Sequence, residues 1–568
     1  MIAAPEKPHE LYAKHEGTLN EAVVAIHERK FYAKFLEVPS KRVYGENAKA
    51  EGTAAFQGQL GNLYEGLRQD ATGEIAAAET SPYTGEALGI RYPVQSDVEA
   101  YINQAQAGYD DWRRATPHTR AGILTESLDR IAKRFFEMAF ATMHTTGQSF
   151  MMSFQASGPH SNDRALEAIA LGLQEQTRFP DSVDWVKPMG RDKEGNPAFV
   201  KQEKRYLSVP IGISLCVGCS TFPVWNTAPA IYASLVTGNP VIVKPHPTAI
   251  YPVAIVVEEI QRALQDAGFD ANLCQLACDL PDAPITKRLA EHTAVKLIDY
   301  TGGSSFGEYL ESLPGKRTFT EKAGVNSIVL HSTTHVRKMM GNISFALSLY
   351  SGQMCTAPQN IFIPKGGIDT PDGNLSYADT VAALAKAVKG LVTHEKAGPG
   401  TLGAIQSAAT AERVKTAQDQ GFKIILESIA VTNPEFPNAR IASPAIMEVP
   451  ADNLAALSRE MFGPIVYVTP VDDYQHGVAI ARELATKHGA ITFSSWCTDA
   501  DAQRYIIDEM SQSYTTVSFN FMGNVWPNQS AGFSDFHVTG GNPAGNASLT
   551  DPEYVLGRFE VVGVRINL

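Results

Sequence analysis

The chain has 568 residues, 44% of them hydrophobic and 19% charged, with a formal net charge of −13. That length exceeds what one hydrophobic core spans, so several domains are expected, and the acidic balance excludes a broad nucleic-acid surface, which needs clustered Lys and Arg. Six cysteines in so long a chain exclude a disulfide scaffold. The start, MIAAPEKPHE, lacks the basic head and apolar core of a signal peptide, and no apolar run approaches the roughly 20 residues that span a bilayer. A cytoplasmic protein without membrane partners is expected.

In chain order, residues 1–79 carry polar helical segments but no chemical signature, and stand as an extension of unassigned role. From Thr80, TSPYTGEAL reads as a turn and strand; DVEAYINQAQAGYDDW and AGILTESLDRIAKRFFEMAFATMHTTG then predict two amphipathic helices. Between Val209 and Ala323, apolar runs ISLCV, PVIVKP, LCQLAC and VKLIDY alternate with helical stretches such as AIYPVAIVVEEIQRALQDAG and SFGEYLESL. Short unbroken strands joined by crossover helices predict a parallel, doubly wound α/β sheet, and dinucleotides bind at the carboxyl ends of such strands. The pairs CVGC (Cys216, Cys219) and CQLAC (Cys274, Cys278) invite a zinc reading, but both lie in apolar stretches that read as buried strands, so no metal is expected.

VKLIDY runs straight into Thr301-Gly302-Gly303-Ser304-Ser305-Phe306-Gly307 and a helix, which gathers N–H groups and hydroxyls where a phosphate would fit; a plain tight turn reads equally well. A second α/β pattern fills about 326–515, with strands NSIVL, NIFIP, AIMEV, IVYVTP and GAITFSSW and helices HVRKMMGNISFALSLY and VAIARELATKH. LYSGQMCTAPQN lies between that first helix and NIFIP. A structural cysteine sits among apolar neighbours, whereas Cys355 follows Gly352 and Gln353 and precedes Thr356, Pro358, Gln359 and Asn360, which favours chemistry over packing.

VKP at 243–245, YTGGSSFG at 300–307, FTEKAG at 319–324, GQMCTA at 352–357 and EMFGP at 460–464 together resemble, in order and spacing, the aldehyde dehydrogenase superfamily from about Thr80 to the end. The resemblance implies a dinucleotide-binding domain at 80–183 and 206–325, a catalytic domain at 326–514, and a small β oligomerisation flap at 184–205 and 515–568. RFEVVGVRI within that flap alternates and would be an exposed edge unless paired across a subunit boundary, so a homodimer or homotetramer is expected. The resemblance also implies roles. Cys355 adds to an aldehyde so that the thiohemiacetal expels hydride and leaves a thioester, and Glu321 is the general base. Lys244, with Pro245 and His246 beside it, meets the adenosine ribose; Gly302, Gly303, Ser304 and Gly307 lie beneath the pyrophosphate; Glu460 and Phe462 hold the nicotinamide end.

Two positions depart from the pattern. Where the family places an oxyanion-binding asparagine this chain has Thr221, with Asn226 nearby as an alternative donor. Where many NAD-using members carry a glutamate three residues after the lysine, it has Pro247, which removes the repulsion of a 2′-phosphate and favours NADP while leaving NAD open. The HP pair also resembles CoA-acylating members, so an acyl-CoA product, or a Cys-dependent thioester hydrolase on the same scaffold, stands beside the carboxylic acid. FPVWNTAP, EKAGVN and FNFMGNVWPNQSAG resemble the phenylacetate-degradation branch of PaaN type, implying a semialdehyde from aromatic ring cleavage, free or CoA-linked.

Overall fold

Strands buried on both faces organise the first half of the chain. The computed structural model describes residues 8–526, 532–533, 536–546, 549 and 551–568. Five parallel strands form a sheet in the order Cys274–Leu276, Val241–Lys244, Ile213–Val217, Val295–Thr301, Arg317–Glu321. Alternate side chains enter opposite cores. Cys216, Val241, Val243 and Leu276 pack with helices Pro117–Ala132, Pro223–Val236 and Tyr251–Asp266; Leu215, Ile242, Val295 and Ile298 pack with helix Val98–Ala107. Both faces are covered, which is why these strands read as continuous apolar runs rather than as alternation.

The helices around this sheet are more divided than their periodicity predicts. Gly108 separates Val98–Ala107 from Tyr109–Arg114, and Lys133 and Arg134 separate Pro117–Ala132 from Phe135–Thr146. Arg134 leaves the helix to bind Glu258 at 2.7 Å, Glu259 at 2.9 Å and Glu137 at 2.8 Å, a buried ionic cluster that outweighs one turn's continuity. In TSPYTGEAL only a single bridge, Thr80 to Ala87, forms, and the strand follows at Arg91–Val94, paired with Gly73–Ala76. Helix Pro159–Gln176 was not legible in the sequence, because it is buried nearly all round and shows no apolar stripe. The N-terminal helix Pro8–Glu28 lies across Pro117–Ala132 and Pro159–Gln176, so the first residues belong to this layer rather than extending from it.

The second sheet has seven strands, in the order Lys423–Leu426, Ala445–Glu448, Ile465–Val471, Pro358–Pro364, Asn326–Leu330, Thr492–Trp496, Thr516–Phe519. All neighbours are parallel except the first pair. Thr516–Phe519 therefore belongs to the catalytic sheet and not to the flap. The flap is a separate antiparallel sheet, with Pro197–Pro210 between Ser182–Arg191 and Phe559–Asn567. RFEVVGVRI thus pairs inside its own chain on one side and, among the described residues, leaves its other edge unpaired. Arg558, fully buried at the foot of that strand, clamps Asp299 of the cofactor sheet through bonds of 2.8 and 2.6 Å. No helix among the described residues is long and apolar enough to cross a membrane.

Candidate active site

Cys355 sits on the connection between helix Val336–Ser348 and strand Pro358–Pro364, at the cleft between the two sheets. The approach is strained: Tyr350, Ser351 and Gly352 all have positive φ (50°, 50° and 63°). Neighbours hold it there. The Tyr350 hydroxyl donates to the Thr146 carbonyl at 2.5 Å, Ser351 Oγ to Leu402 at 3.0 Å, and Gln353 Nε2 to Ala404 at 3.0 Å. A Cβ on Gly352 would come 2.9 Å from the Gly463 carbonyl carbon, so the nucleophile's loop and the EMFGP loop touch backbone to backbone. Asn326 finishes the clamp, donating to the carbonyls of Cys355 at 2.8 Å and Ala357 at 3.0 Å while accepting from Ile491 and Thr492. Sequence reasoning passed over Asn326, which looks like an ordinary first residue of a strand.

Glu321 ends strand Arg317–Glu321 and faces the thiol across the cleft. A third side chain joins them from the C-terminal tail. His537 Nε2 lies 3.0 Å from Glu321 Oε1 and 3.6 Å from Cys355 Sγ, and atoms of all three residues lie within 4.8 Å of one another. A metal ion could be spanned by that set; a second such group, His15, Glu126 and Asp129, is already occupied by ion pairs with Lys14 and His15. His537 was missed because no spacing in the sequence ties it to Cys355. Its tail was assigned to the flap, whereas 537–546 runs beside strand Arg317–Glu321, with Lys322 N donating to Ala544 and Asn546 Oδ1 accepting from Thr320 N. The same assignment fails for Trp526, whose indole donates to Thr356 Oγ1 at 3.1 Å; the rest of the PaaN-like stretch, 527–531, lies outside the described residues.

Electrostatics divide the labour. Burial, reinforced by the neighbouring Glu321 charge, pushes the Cys355 thiol well above its ordinary value, so the resting sulfur keeps its proton. Burial also works to raise Glu321, but His537, Cys355 and Arg164 together outweigh it and hold the carboxyl below the ordinary carboxylate value. The result is a protonated nucleophile beside an ionised base. Asn226 Nδ2 donates to Glu321 Oε2 at 3.0 Å, so that amide orients the base. Thr221 lines the cavity beside Cys355, with its carbonyl held by Gln148. Cys219, expected in a buried strand, instead lies on the loop beyond Val217 and lines the same cavity; burial raises its thiol to about 11.

Two cavities meet at Cys355. The larger, about 690 Å³, runs along the carboxyl ends of the first sheet past His246, Gly302, Gly303, Glu460 and Phe462. Helix Ser304–Glu311 begins there with Gly303 as an N-cap that has no side-chain acceptor, and a Cβ on Gly303 would meet nothing within 4 Å. Its first N–H groups are therefore available to a pyrophosphate, and the site suits a dinucleotide. Gly302 and Gly307 have another use. A Cβ on Gly302 would run into the Tyr300 hydroxyl, and one on Gly307 would come 2.6 Å from Lys322 Cδ, so both permit close packing beneath the turn. Ser304 opens the helix and borders a small neighbouring pocket with Glu460. Burial raises the Glu460 carboxyl to about 7. Lys244 and Pro245 do not reach this cavity's wall: the ammonium is buried, 2.7 Å from Asp279 and 2.6 Å from the Pro245 carbonyl. The smaller cavity, about 390 Å³, approaches Cys355 from the other side between Met152, Phe222, Trp225, Phe345 and Trp526.

With this geometry in place, the comparisons are decisive. A family model described as the aldehyde dehydrogenase family matches residues 69–533. The chain belongs to the aldehyde dehydrogenase family. A crystal structure of an NAD-dependent aldehyde dehydrogenase from Burkholderia multivorans is 43% identical and superposes with a TM-score of 0.95 over 98% of this chain and 99% of that one. A 1-pyrroline-5-carboxylate dehydrogenase from Thermus thermophilus, 17% identical, shares the fold with a TM-score of 0.73 over 95% and 99% of the two chains. An NADP-dependent glyceraldehyde-3-phosphate dehydrogenase from Bacillus halodurans, 19% identical, does so at 0.67 over 89% and 98%. The dehydrogenase is thus a nicotinamide-dependent oxidoreductase acting on the aldehyde group.

Proposed function

We propose that the enzyme oxidises an apolar aldehyde, aromatic or long-chain, to its carboxylic acid. The observation that carries this is Cys355 at the meeting point of a dinucleotide-sized cleft and a Met- and aromatic-lined cavity. An aldehyde enters by the apolar side. As Sγ bonds to the carbonyl carbon, the sulfur's proton passes to Glu321, and the carbonyl oxygen, now anionic, takes a hydrogen bond from the Thr221 hydroxyl. A nicotinamide dinucleotide bound in the larger cavity supplies the acceptor for the hydride. Glu321 releases that first proton to solvent, and water then attacks the thioester carbon while giving a proton to Glu321; as the C–S bond breaks, Glu321 returns that proton to the sulfur, and the carboxylic acid leaves with the thiol restored.

Among the described residues the wall of the apolar cavity holds no Lys or Arg, which supports a free aldehyde over a CoA conjugate and water over CoA as acceptor. For the cofactor, Pro247 favours NADP, but Asp279 already matches the charge of Lys244 and leaves no spare cation there for a 2′-phosphate. We propose NAD as the preferred cofactor, with NADP accepted less well. A panel of aliphatic, aromatic and CoA-linked aldehydes, assayed at 340 nm with each nicotinamide and with or without CoA, tests all three points. Highest kcat/KM for aromatic or long apolar aldehydes with NAD, and no CoA requirement, is expected; acyl-CoA as the sole product would defeat the hydrolytic reading.

A further inference from the structure

We propose that His537 is a third catalytic residue, whose single Nε2–H donor is shared by Glu321 and Cys355 and follows the negative charge as one proton moves between them. The proposal rests on Cys355 being the nucleophile. It stands on geometry. Nε2 lies 3.0 Å from Glu321 Oε1 and 3.6 Å from Sγ, so one N–H reaches either acceptor with a small rotation of the ring. Nδ1 is buried and, among the described residues, has no hydrogen-bond partner, which disfavours a proton there and leaves Nε2 as the nitrogen that carries one. The ring is fixed edge-to-face on Trp225, with centroids 4.6 Å apart, and the Arg164 guanidinium lies over the Trp225 ring, 3.7 Å from its centroid. The other groups around the ring are Cys216, Asp299 and Tyr554, which line a small void behind it, and His160, which shares the apolar cavity.

In the resting site the thiol is protonated, Glu321 is the carboxylate, and Nε2–H donates to Oε1. When the thiol proton crosses to Glu321, the carboxylate becomes neutral and the sulfur anionic, and Nε2–H turns to the sulfur. The S–C bond then forms with the carbonyl π pair moving to oxygen. Imidazole gains and loses no proton throughout. This arrangement answers the difficulty that a thiol held protonated by burial must ionise beside an acid.

The test is the pH dependence of Cys355 alkylation by iodoacetamide, followed by mass spectrometry without aldehyde, in wild type, His537→Leu and His537→Gln. In His537→Leu the alkylation profile should move to higher pH and kcat should fall at least tenfold, with KM for aldehyde within threefold; His537→Gln, which keeps an N–H, should stay within threefold of wild type. Superimposable profiles for wild type and a His537→Leu protein that still binds NAD overturn the proposal. Should His537→Leu fail to fold, 15N spectra of histidine-labelled wild type decide: a bare Nδ1 with protonated Nε2 supports it, and an imidazolium or an Nδ1–H tautomer refutes it. Alkylation at a cysteine other than 355 refutes instead the choice of nucleophile.

Discussion

At the scale of single residues, the site is a problem of where one proton goes. Cys355 is held protonated by burial and Glu321 is held ionised by its neighbours, so the two carry complementary states before any aldehyde arrives. Replacing Glu321 with Gln keeps the shape and removes the base. Glu321 takes a proton in both half-reactions, but a thiol ionises far more readily than water and its thiolate keeps the His537 N–H, so Glu321→Gln should slow thioester hydrolysis by about 10²–10⁴ and acylation by less. Stopped-flow absorbance at 340 nm checks this: a stoichiometric burst of reduced nicotinamide followed by a nearly flat steady state is expected. A rate lowered without a burst would place the loss at acylation. Of the residues read from sequence, Cys355, Glu321, Thr221, Asn226, His246, Gly302, Gly303, Glu460 and Phe462 come to one cavity. The glycines and the cysteine were legible because backbone approach and nucleophilic chemistry restrict residue type, and the acid was legible through the family resemblance. His537 and Asn326 were not, because a histidine in a tail and an asparagine opening a strand are common for many reasons.

Among elements, helix Pro159–Gln176 links the N-terminal layer to the catalytic centre. Its Asp163 accepts from Lys34 N at 3.0 Å, its Glu167 lies 3.4 Å from Arg29 and accepts from Phe533 N at 3.0 Å, and its Arg164 stacks on Trp225. Burial raises the Asp163 carboxyl to about 8 despite its two backbone donors. The folded state therefore holds this proton more tightly than the unfolded chain, whose Asp titrates near 4. The stability that follows is fully present below about pH 4 and is lost as the pH rises to about 8. Asp163→Asn keeps an acceptor and cannot ionise, so its melting temperature should fall less than that of wild type between pH 5 and pH 8. Thermal melts at the two values check it; parallel curves would mean that Asp163 is ionised throughout. The helix carries this burden with charged residues on buried faces, which is also why no amphipathic pattern announced it.

For the whole molecule, the open side of the flap is the feature without a partner. Phe559–Asn567 and Ser182–Arg191 are both edge strands, and Val186, Met189, Val561, Val562 and Ile566 are exposed on them. Unpaired edges of this length with apolar side chains invite another chain. A homodimer or homotetramer through the flap is the expected assembly. Val561→Lys combined with Val562→Lys should shift the sedimentation coefficient towards the monomer while leaving the melting transition of the two α/β domains in place. An unchanged oligomer in that variant would move the interface elsewhere.

The sequence by itself determined the two α/β units, most of their strands, the glycine turn and the cysteine, because doubly buried strands, a close-packed glycine turn and a thiol among polar neighbours each leave a local trace in residue type, and the acid followed from the family resemblance. Only the tertiary structure decided that Thr516–Phe519 joins the catalytic sheet, that Lys244 is spoken for by Asp279, and that His537 reaches the nucleophile. Those outcomes depend on contacts between separate segments of the chain, which leave no local pattern for composition or periodicity to reveal.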